Sequence, residues 1–323
     1  MKIVCDNKIP YIRETLEKLA DEVAYLPGAE IRNEDVKDAD ALIVRTRTKC
    51  NAQLLEGTNV RFVATATIGF DHIDPDYMKH SGIYWTNCPG CNAASVEQYV
   101  RESLRCLLAD GKISVKEGEN KVAVIGHGHV GSRIARMAKE LGFCVYVYDP
   151  FLFPENGFDE VYDCNIITFH TPLTRNGEYP TFHMADADFF ARLKRKPVII
   201  NSSRGEVVDN KALVEAKDNG LVSELIIDVW ENEPNISLEL MNRCYIATPH
   251  IAGYSANGKV NADNMVVEAF CKFFGKPLPE KILPPAVDYA GYNPKEDHER
   301  LTKSPELFEK LRGDYPIRLE TSF

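Results

Sequence analysis

Three side chains suited to proton transfer and carboxylate binding follow three short apolar runs in the second half of the sequence. Val198-Ile-Ile leads into Asn201-Ser-Ser-Arg204-Gly205, Leu225 to Asp228 into Val229-Trp-Glu-Asn-Glu233-Pro234, and Tyr245 to Thr248 into Pro249-His250-Ile. Arg204 offers a planar fork that fits a carboxylate. His250 is the natural proton-transfer group near neutral pH, and Glu233 could orient it and stabilise its charged form. Taken singly, each has a plainer reading: a solvated histidine, a glutamate capping a turn before proline, an arginine paired with a surface acid. In an open parallel sheet, however, ligands bind beyond the carboxyl ends of the strands, so residues tens of positions apart can converge there. Their joint occurrence at strand ends favours the functional reading.

The stretch from Val122 to Pro150 supplies what such a site would need beside it. Val122 to Ile125 is a short unbroken apolar run that reads as a buried parallel strand, and Gly126, Gly128 and Gly131 follow in G-x-G-x-x-G spacing. The first glycine permits a tight turn, the second lets backbone approach a pyrophosphate, and the third lets the next helix pack close to the strand. A helix starting at the third glycine would carry Val130, Ile134, Met137, Ala138 and Leu141 on an apolar face, with the N–H groups around His129 and Val130 turned toward phosphate. The next strand, Cys144 to Tyr148, ends on Asp149, about 20 residues past the glycines, where a carboxylate can bind ribose hydroxyls. That acid would repel a 2′-phosphate, and residues 151–160 contain no Arg or Lys to receive one. The expected cofactor is NAD rather than NADP.

Composition narrows the rest. With 323 residues, 44% hydrophobic and 27% charged, the chain has the size of two ordinary domains. A formal charge of −10 argues against nucleic acid or an anionic membrane as partner, and no apolar run is long enough to span a bilayer. Met1-Lys-Ile-Val leads directly into a strand rather than a signal peptide, so a cytoplasmic location is expected. The nine cysteines are scattered, and Cys5, Cys106, Cys144 and Cys164 read as reduced core residues. Cys88-Pro-Gly-Cys91 has dithiol spacing, but without a second pair or matching histidines a zinc site is not expected, and a turn is the simpler reading.

The elements that must position these residues alternate. Strands are expected at Ile3 to Cys5, Ala41 to Val44, Phe62 to Thr65 and Tyr84-Trp85, with helices at Ile9 to Leu19 and Ala52 to Leu55. A long helix from Ala93 to Ala109 would carry the chain into the dinucleotide domain, with Val96, Val100, Leu104, Leu107 and Leu108 on one face. Strands at Ile166 to Phe169, Val198 to Ile200, 225–228 and 245–248 and a helix near Ala185 to Leu193 would complete that domain. A last helix, Ala256 to Phe274, would cross back. Directly after the strand at 41–44, Arg45, Arg47 and Lys49 alternate with threonines. In extended conformation they would face one anion, with Thr46 offering a hydroxyl, although for these residues taken alone a solvated strand edge is the favoured reading.

Together, Gly126-x-Gly128-x-x-Gly131, Asn201-Ser-Ser-Arg204-Gly205, Asp228-Val-Trp-Glu-Asn-Glu233-Pro234 and Pro249-His250-Ile resemble the D-isomer-specific 2-hydroxyacid dehydrogenases over about residues 1 to 275. The resemblance implies an α/β fold of two doubly wound parallel-sheet domains, a Rossmann NAD domain inserted in a flavodoxin-like substrate domain. The substrate domain would comprise 1–92 and 275–323, and the NAD domain 93–274 with linking helices at both ends. Ala64-Thr-Ala-Thr67-Ile-Gly-Phe-Asp71-His72, Cys88-Pro-Gly-Cys91-Asn-Ala and His250-Ile-Ala-Gly253-Tyr254-Ser255 resemble more narrowly a branch that oxidises 4-phospho-D-erythronate in pyridoxal phosphate synthesis. By that resemblance Arg204, Glu233 and His250 are catalytic. Arg45, Thr46, Arg47, Thr67 and Tyr254 meet a small phosphorylated hydroxyacid. Thr171, Ser202, Ser203, Arg204, Asp228 and Gly253 join Asp149 around NAD, and the protein is a homodimer. Members of that branch continue into a C-terminal dimerisation domain, whereas about forty residues follow Pro284 here. Asp288-Tyr289 and Phe308-x-x-Leu311-Arg312 read as remnants of it. A 3-phosphoglycerate dehydrogenase, or a non-enzymatic NAD-sensing binding protein on the same fold, remains the alternative.

Overall fold

The structure, a computed structural model of the chain, describes residues 1–115, 120–287 and 291–320. Backbone contacts divide it into two compact units, Met1–Asn92 with Ser255–Asp288 and Ala93–Tyr254 with Tyr289–Phe323.

The first unit is built on strands β1 (Lys2–Asp6), β2 (Glu22–Leu26), β3 (Ala41–Val44), β4 (Phe62–Thr65) and β5 (Tyr84–Thr86). All pair in parallel, in the order β2-β1-β3-β4-β5. This is the flavodoxin-like order, with its switch point between β1 and β3. The central strands are buried on both faces, which is why β3 and β4 read as continuous apolar runs. One side of the sheet is covered by the helix Ala256–Phe274, whose Ala262, Val266, Val267, Phe270 and Cys271 pack with Ile3, Cys5, Ile43 and Phe62. Asn51, Asp74 and Ser255 cap helices by accepting backbone N–H bonds, as short polar side chains do at N-termini.

The second unit holds β6 (Lys121–Ile125), β7 (Cys144–Tyr148), β8 (Ile166–Phe169), β9 (Val198–Asn201), β10 (Leu225–Ile227) and β11 (Ile246–Ala247), all parallel, in the order β11-β10-β9-β8-β6-β7. Counted within the unit this is 6-5-4-3-1-2. The Rossmann order would place one more strand outside β7, but after it the chain winds a 3-10 helix, Phe158–Asp163, and returns to pair β8 directly on β6. The switch point between β6 and β8 survives, and with it the crevice beyond the strand ends. The helix Ala93–Ala109 buries Val96, Val100, Leu104 and Leu107, and His129–Glu140 buries Ile134, Ala135, Met137 and Ala138, in one shared core cluster.

Several expectations are corrected. The helix Ala256–Phe274 belongs to the first unit, because its apolar stripe is spent on that unit's sheet, and residues 291–320 belong to the second. There Leu301 and Phe308 are buried in the core that contains Trp230, Leu240 and Ala247. The tail forms two helices, Pro294–Lys303 and Phe308–Gly313. Asp288 and Tyr289 lie outside the described residues. The first helix spans Arg13–Leu19, later than expected, and the glycine-loop helix starts at His129, earlier than the third glycine. Cys144 is exposed rather than a core residue. No described helix is long and apolar enough to cross a membrane.

Candidate active site and dinucleotide site

The glycine loop has the shape its spacing implies. Gly126 has a φ of 86°, and a side chain there would press on the His170 carbonyl and on Thr171. A Cβ at Gly131 would collide with the Gly126 carbonyl, whereas one at Gly128 would meet nothing. The middle glycine thus leaves open space where backbone could approach a ligand, and the third brings helix and strand together. Asp149, at the end of β7, accepts the His127 N–H at 2.8 Å and the Phe151 and Leu152 N–H groups at 3.2 and 3.3 Å. Its carboxylate is therefore held beside the loop.

Unpaired polar atoms mark the same crevice. Among the described residues, His127 Nδ1, Thr171 Oγ1 and Ser202 Oγ are buried without a hydrogen-bond partner. They follow β6, β8 and β9, three neighbours in the sheet. Buried polar groups are rarely left unpaired in a native protein, so a polar ligand is the natural partner for this set. With the loop and Asp149, these residues fit a dinucleotide. His170 does not join them. It is half-buried, its Nε2 is 2.8 Å from Thr168 Oγ1, and desolvation lowers its pKa to about 3, which keeps it neutral.

Beyond β9, Asn201 folds its own loop. Its Oδ1 accepts the Ser203 N–H and hydroxyl, and its Nδ2 donates to the Arg204 carbonyl at 2.9 Å. Gly205 then abuts the Trp230 and Glu231 backbone, where a side chain would not fit. Arg204 is half-buried, with Nη1 donating to the Ser203 carbonyl at 2.8 Å.

Beyond β10 and β11, Glu233 and His250 meet, with Glu233 Oε2 2.8 Å from His250 Nδ1. The other Glu233 oxygen accepts the Trp230 N–H at 3.0 Å. Burial pushes the Glu233 carboxyl up, but the His250 hydrogen bond and charge, the Trp230 N–H and the Arg312 charge outweigh it, and its pKa lies below the ordinary value. It is held as a carboxylate. His250 has a left-handed backbone, φ 57°, uncommon for a residue with a side chain. Its N–H donates to the Asp228 carbonyl at 2.7 Å, while the Asp228 carboxylate takes the Thr248 hydroxyl and the Ile251 and Ala252 N–H groups at 2.6 to 2.9 Å. Asp228 thus anchors the histidine loop, a task its sequence position beside a dinucleotide site did not reveal. Gly253 and Tyr254 follow on that loop.

In the first unit the expected cation row is corrected. The strand ends at Val44 and the chain turns at 46–48, so Arg45, Arg47 and Lys49 do not project from one extended face. Arg45 Nη1 instead donates to the Lys8 carbonyl at 3.1 Å, while Thr46 is exposed. Thr67 bonds the Thr65 hydroxyl at 2.7 Å and the Gly69 carbonyl at 2.9 Å. Cys88 is buried, its thiol donating toward the Thr65 and Ala262 carbonyls, and burial raises its pKa, which removes the dithiol reading. Sequence reasoning named Arg312 only as part of a remnant of a C-terminal dimerisation domain and gave it no place at the site, where its Nη1 lies 3.6 Å from Glu233 Oε2.

Comparison with known proteins identifies the family. The family model described as the NAD-binding domain of D-isomer specific 2-hydroxyacid dehydrogenases matches residues 94–252. An erythronate-4-phosphate dehydrogenase of Bacteroides thetaiotaomicron is 50% identical, over 99% of this chain and 97% of its own. One from Marinobacter nauticus is 37% identical over 100% and 93%. The first of these alignments, at 343 residues, is longer than this chain, so the relative carries residues that it lacks. Among solved structures, NAD⁺-bound 3-phosphoglycerate dehydrogenase of Entamoeba histolytica is similar with a TM-score of 0.70 and 27% identity, covering 89% of this chain and 99% of the other. A chain whose strand ends gather a glycine loop, an acid, an arginine and a glutamate–histidine pair, and which shares half its residues with such a relative, belongs to the erythronate-4-phosphate dehydrogenases, NAD-dependent enzymes of the D-isomer-specific 2-hydroxyacid dehydrogenase family.

Proposed function

We propose that the protein oxidises the 2-hydroxyl of 4-phospho-D-erythronate, giving 2-oxo-3-hydroxy-4-phosphobutanoate for pyridoxal phosphate synthesis. The single observation that carries the catalytic part is the 2.8 Å contact of Glu233 with His250. His250 Nε2, the ring nitrogen opposite the one facing Glu233, removes the hydroxyl proton, the C2–O bond becomes a carbonyl, and the C2 hydrogen leaves as hydride. Bound NAD supplies the acceptor for that hydride. Glu233, kept ionised, holds the ring and balances the charge that His250 gains. Arg204 receives the substrate carboxylate and the oxygen on which the carbonyl forms.

Gly126, Gly128, His129, Val130 and Gly131 take the pyrophosphate, and Asp149 the adenosine ribose. Thr171, Ser202, Ser203, Arg204 and Gly253 line the remainder, and Asp228, buried and bonded to the histidine loop, acts on NAD only by holding that loop. By the family resemblance, Arg45, Thr46, Arg47, Thr67 and Tyr254 supply polar groups for the phosphorylated end. This reading includes a homodimer, as the family resemblance implies, and a cytoplasmic location, as the opening of the sequence leads one to expect; a monomer by sedimentation velocity at micromolar concentration would contradict the dimer.

Turnover of 4-phosphoerythronate and 3-phosphoglycerate, followed by NADH absorbance, tests the substrate. A kcat/KM at least about a hundredfold higher for 4-phosphoerythronate is expected, since a site built around one acid's hydroxyl and phosphate leaves polar groups unpaired with the other. Preference for 3-phosphoglycerate would replace this substrate assignment.

A further inference from the structure

We propose that Arg312 is a positioning residue for Glu233, His250 and Tyr254, so that the C-terminal segment braces the catalytic end of the second unit. This rests on the reading that His250 takes the substrate proton. Arg312 Nη1 lies 3.6 Å from Glu233 Oε2, the same oxygen that His250 Nδ1 reaches at 2.8 Å. Its Nε donates to the Tyr254 hydroxyl at 3.1 Å, and its guanidinium lies 5.9 Å from the centre of the Tyr254 ring. One planar cation therefore touches both ends of the reach from glutamate to tyrosine, which a single fork does and a point charge does not.

The helix that carries it is fixed. Phe308, at its start, is 1% exposed in the unit's core. Elsewhere the same segment grips the histidine loop directly: the Ala247 N–H donates to His298 Nδ1 at 3.1 Å, and Arg318 donates to the Ala252 carbonyl and the Ser95 hydroxyl. Gln98 Nε2 donates to the Leu319 carbonyl at 3.1 Å, tying the tail to the helix Ala93–Ala109. Residues 247–254, with His250 between the tethers, are thus held to 291–320 at both ends.

The electrostatic consequence has a definite sign. The charges facing the pair are Arg312, Asp228, to which His250 N–H bonds, and Glu309, 3.9 Å behind Arg312. Arg312 is the only one of these that opposes a positive His250. Without it the Glu233 charge acts on the ring undiminished, so His250 keeps its proton to higher pH and serves as a base less readily.

The test uses the full chain with Arg312→Gln and Arg312→Lys, NADH formation followed from about pH 6 to 10, and NAD affinity measured as a check of folding. Arg312→Gln is expected to lower kcat about tenfold and to move the acid limb of the kcat/KM profile upward by about one pH unit, with NAD affinity unchanged. Arg312→Lys returns the limb toward its wild-type position but recovers only part of kcat, since an ammonium cannot hold Tyr254 and Glu233 together. An unmoved limb in a folded Arg312→Gln enzyme overturns the proposal whatever happens to kcat. Loss of NAD binding in both variants also overturns it, by assigning Arg312 to folding. His250→Asn in the same series keeps the two ideas apart: full activity there removes the reading beneath, independently of Arg312.

Discussion

At the scale of single residues, the site depends on two carboxylates doing different work, Glu233 half-buried and Asp228 fully buried. Glu233 stays ionised because His250, the Trp230 N–H and Arg312 surround it, while Asp228 is spent on holding the loop. Glu233→Gln removes the charge but keeps the shape. It should lower kcat by about two orders of magnitude while NAD affinity holds, since general-base assistance is worth about that much. Wild-type kcat in that variant would mean that His250 needs no partner. Asp228→Ala strips three buried donors of their acceptor. A loss of about 3 kcal/mol in urea unfolding is expected, with turnover falling as the loop loosens. No change in either would show that Thr248, Ile251 and Ala252 find other partners.

At the scale of elements, the glycine loop is held by contacts that admit no side chain. Gly131→Ala would drive a methyl group into the Gly126 carbonyl, forcing helix and strand apart at the phosphate-binding turn. NAD affinity by calorimetry should weaken at least about tenfold, and an unchanged affinity would show that the turn adapts. This loop was legible in sequence because close approach demands glycine at fixed spacing and buried parallel strands demand apolar runs. The same logic made β3, β4, β6, β8 and β9 readable. It missed Glu22–Leu26, a half-buried edge strand paired only with β1, although Val23 to Leu26 is itself a short apolar run. The meeting of Glu233 with His250 was suggested by strand ends, because topology brings them together. Arg312 was hidden for the opposite reason: its place depends on how a tail of Pro, Lys and Glu packs on a finished unit. Likewise Arg45, Arg47 and Lys49 looked like a row only if the strand continued, and a turn at 46–48 broke it.

At the scale of the whole molecule, two desolvated groups make stability respond to pH in opposite directions. His170 titrates near 6.5 in the unfolded chain and near 3 when folded, so the unfolded chain binds the extra proton between these values. Its contribution is lost as pH falls through that window, by up to about 1.4 kcal/mol per pH unit. Asp263, 1% exposed with the Tyr11 N–H on its carboxylate, is raised by burial from 3.8 to about 7. It favours the folded state at low pH, and that contribution disappears as pH rises from about 4 to 7. Asp263→Asn should therefore gain stability over the wild type progressively across that range and hold the gain above it, read as thermal midpoints at each pH. A difference that does not vary with pH would contradict the charged, buried carboxylate. Above all these stands the assignment of His250 as the base. The most direct measurement is transfer of label from C2-deuterated 4-phosphoerythronate to bound NAD by wild type and His250→Asn. The predicted result is deuterium on the nicotinamide with wild type, and transfer slowed at least about a thousandfold in the variant with NAD affinity intact. Transfer at a rate within about twofold of wild type in His250→Asn would contradict it.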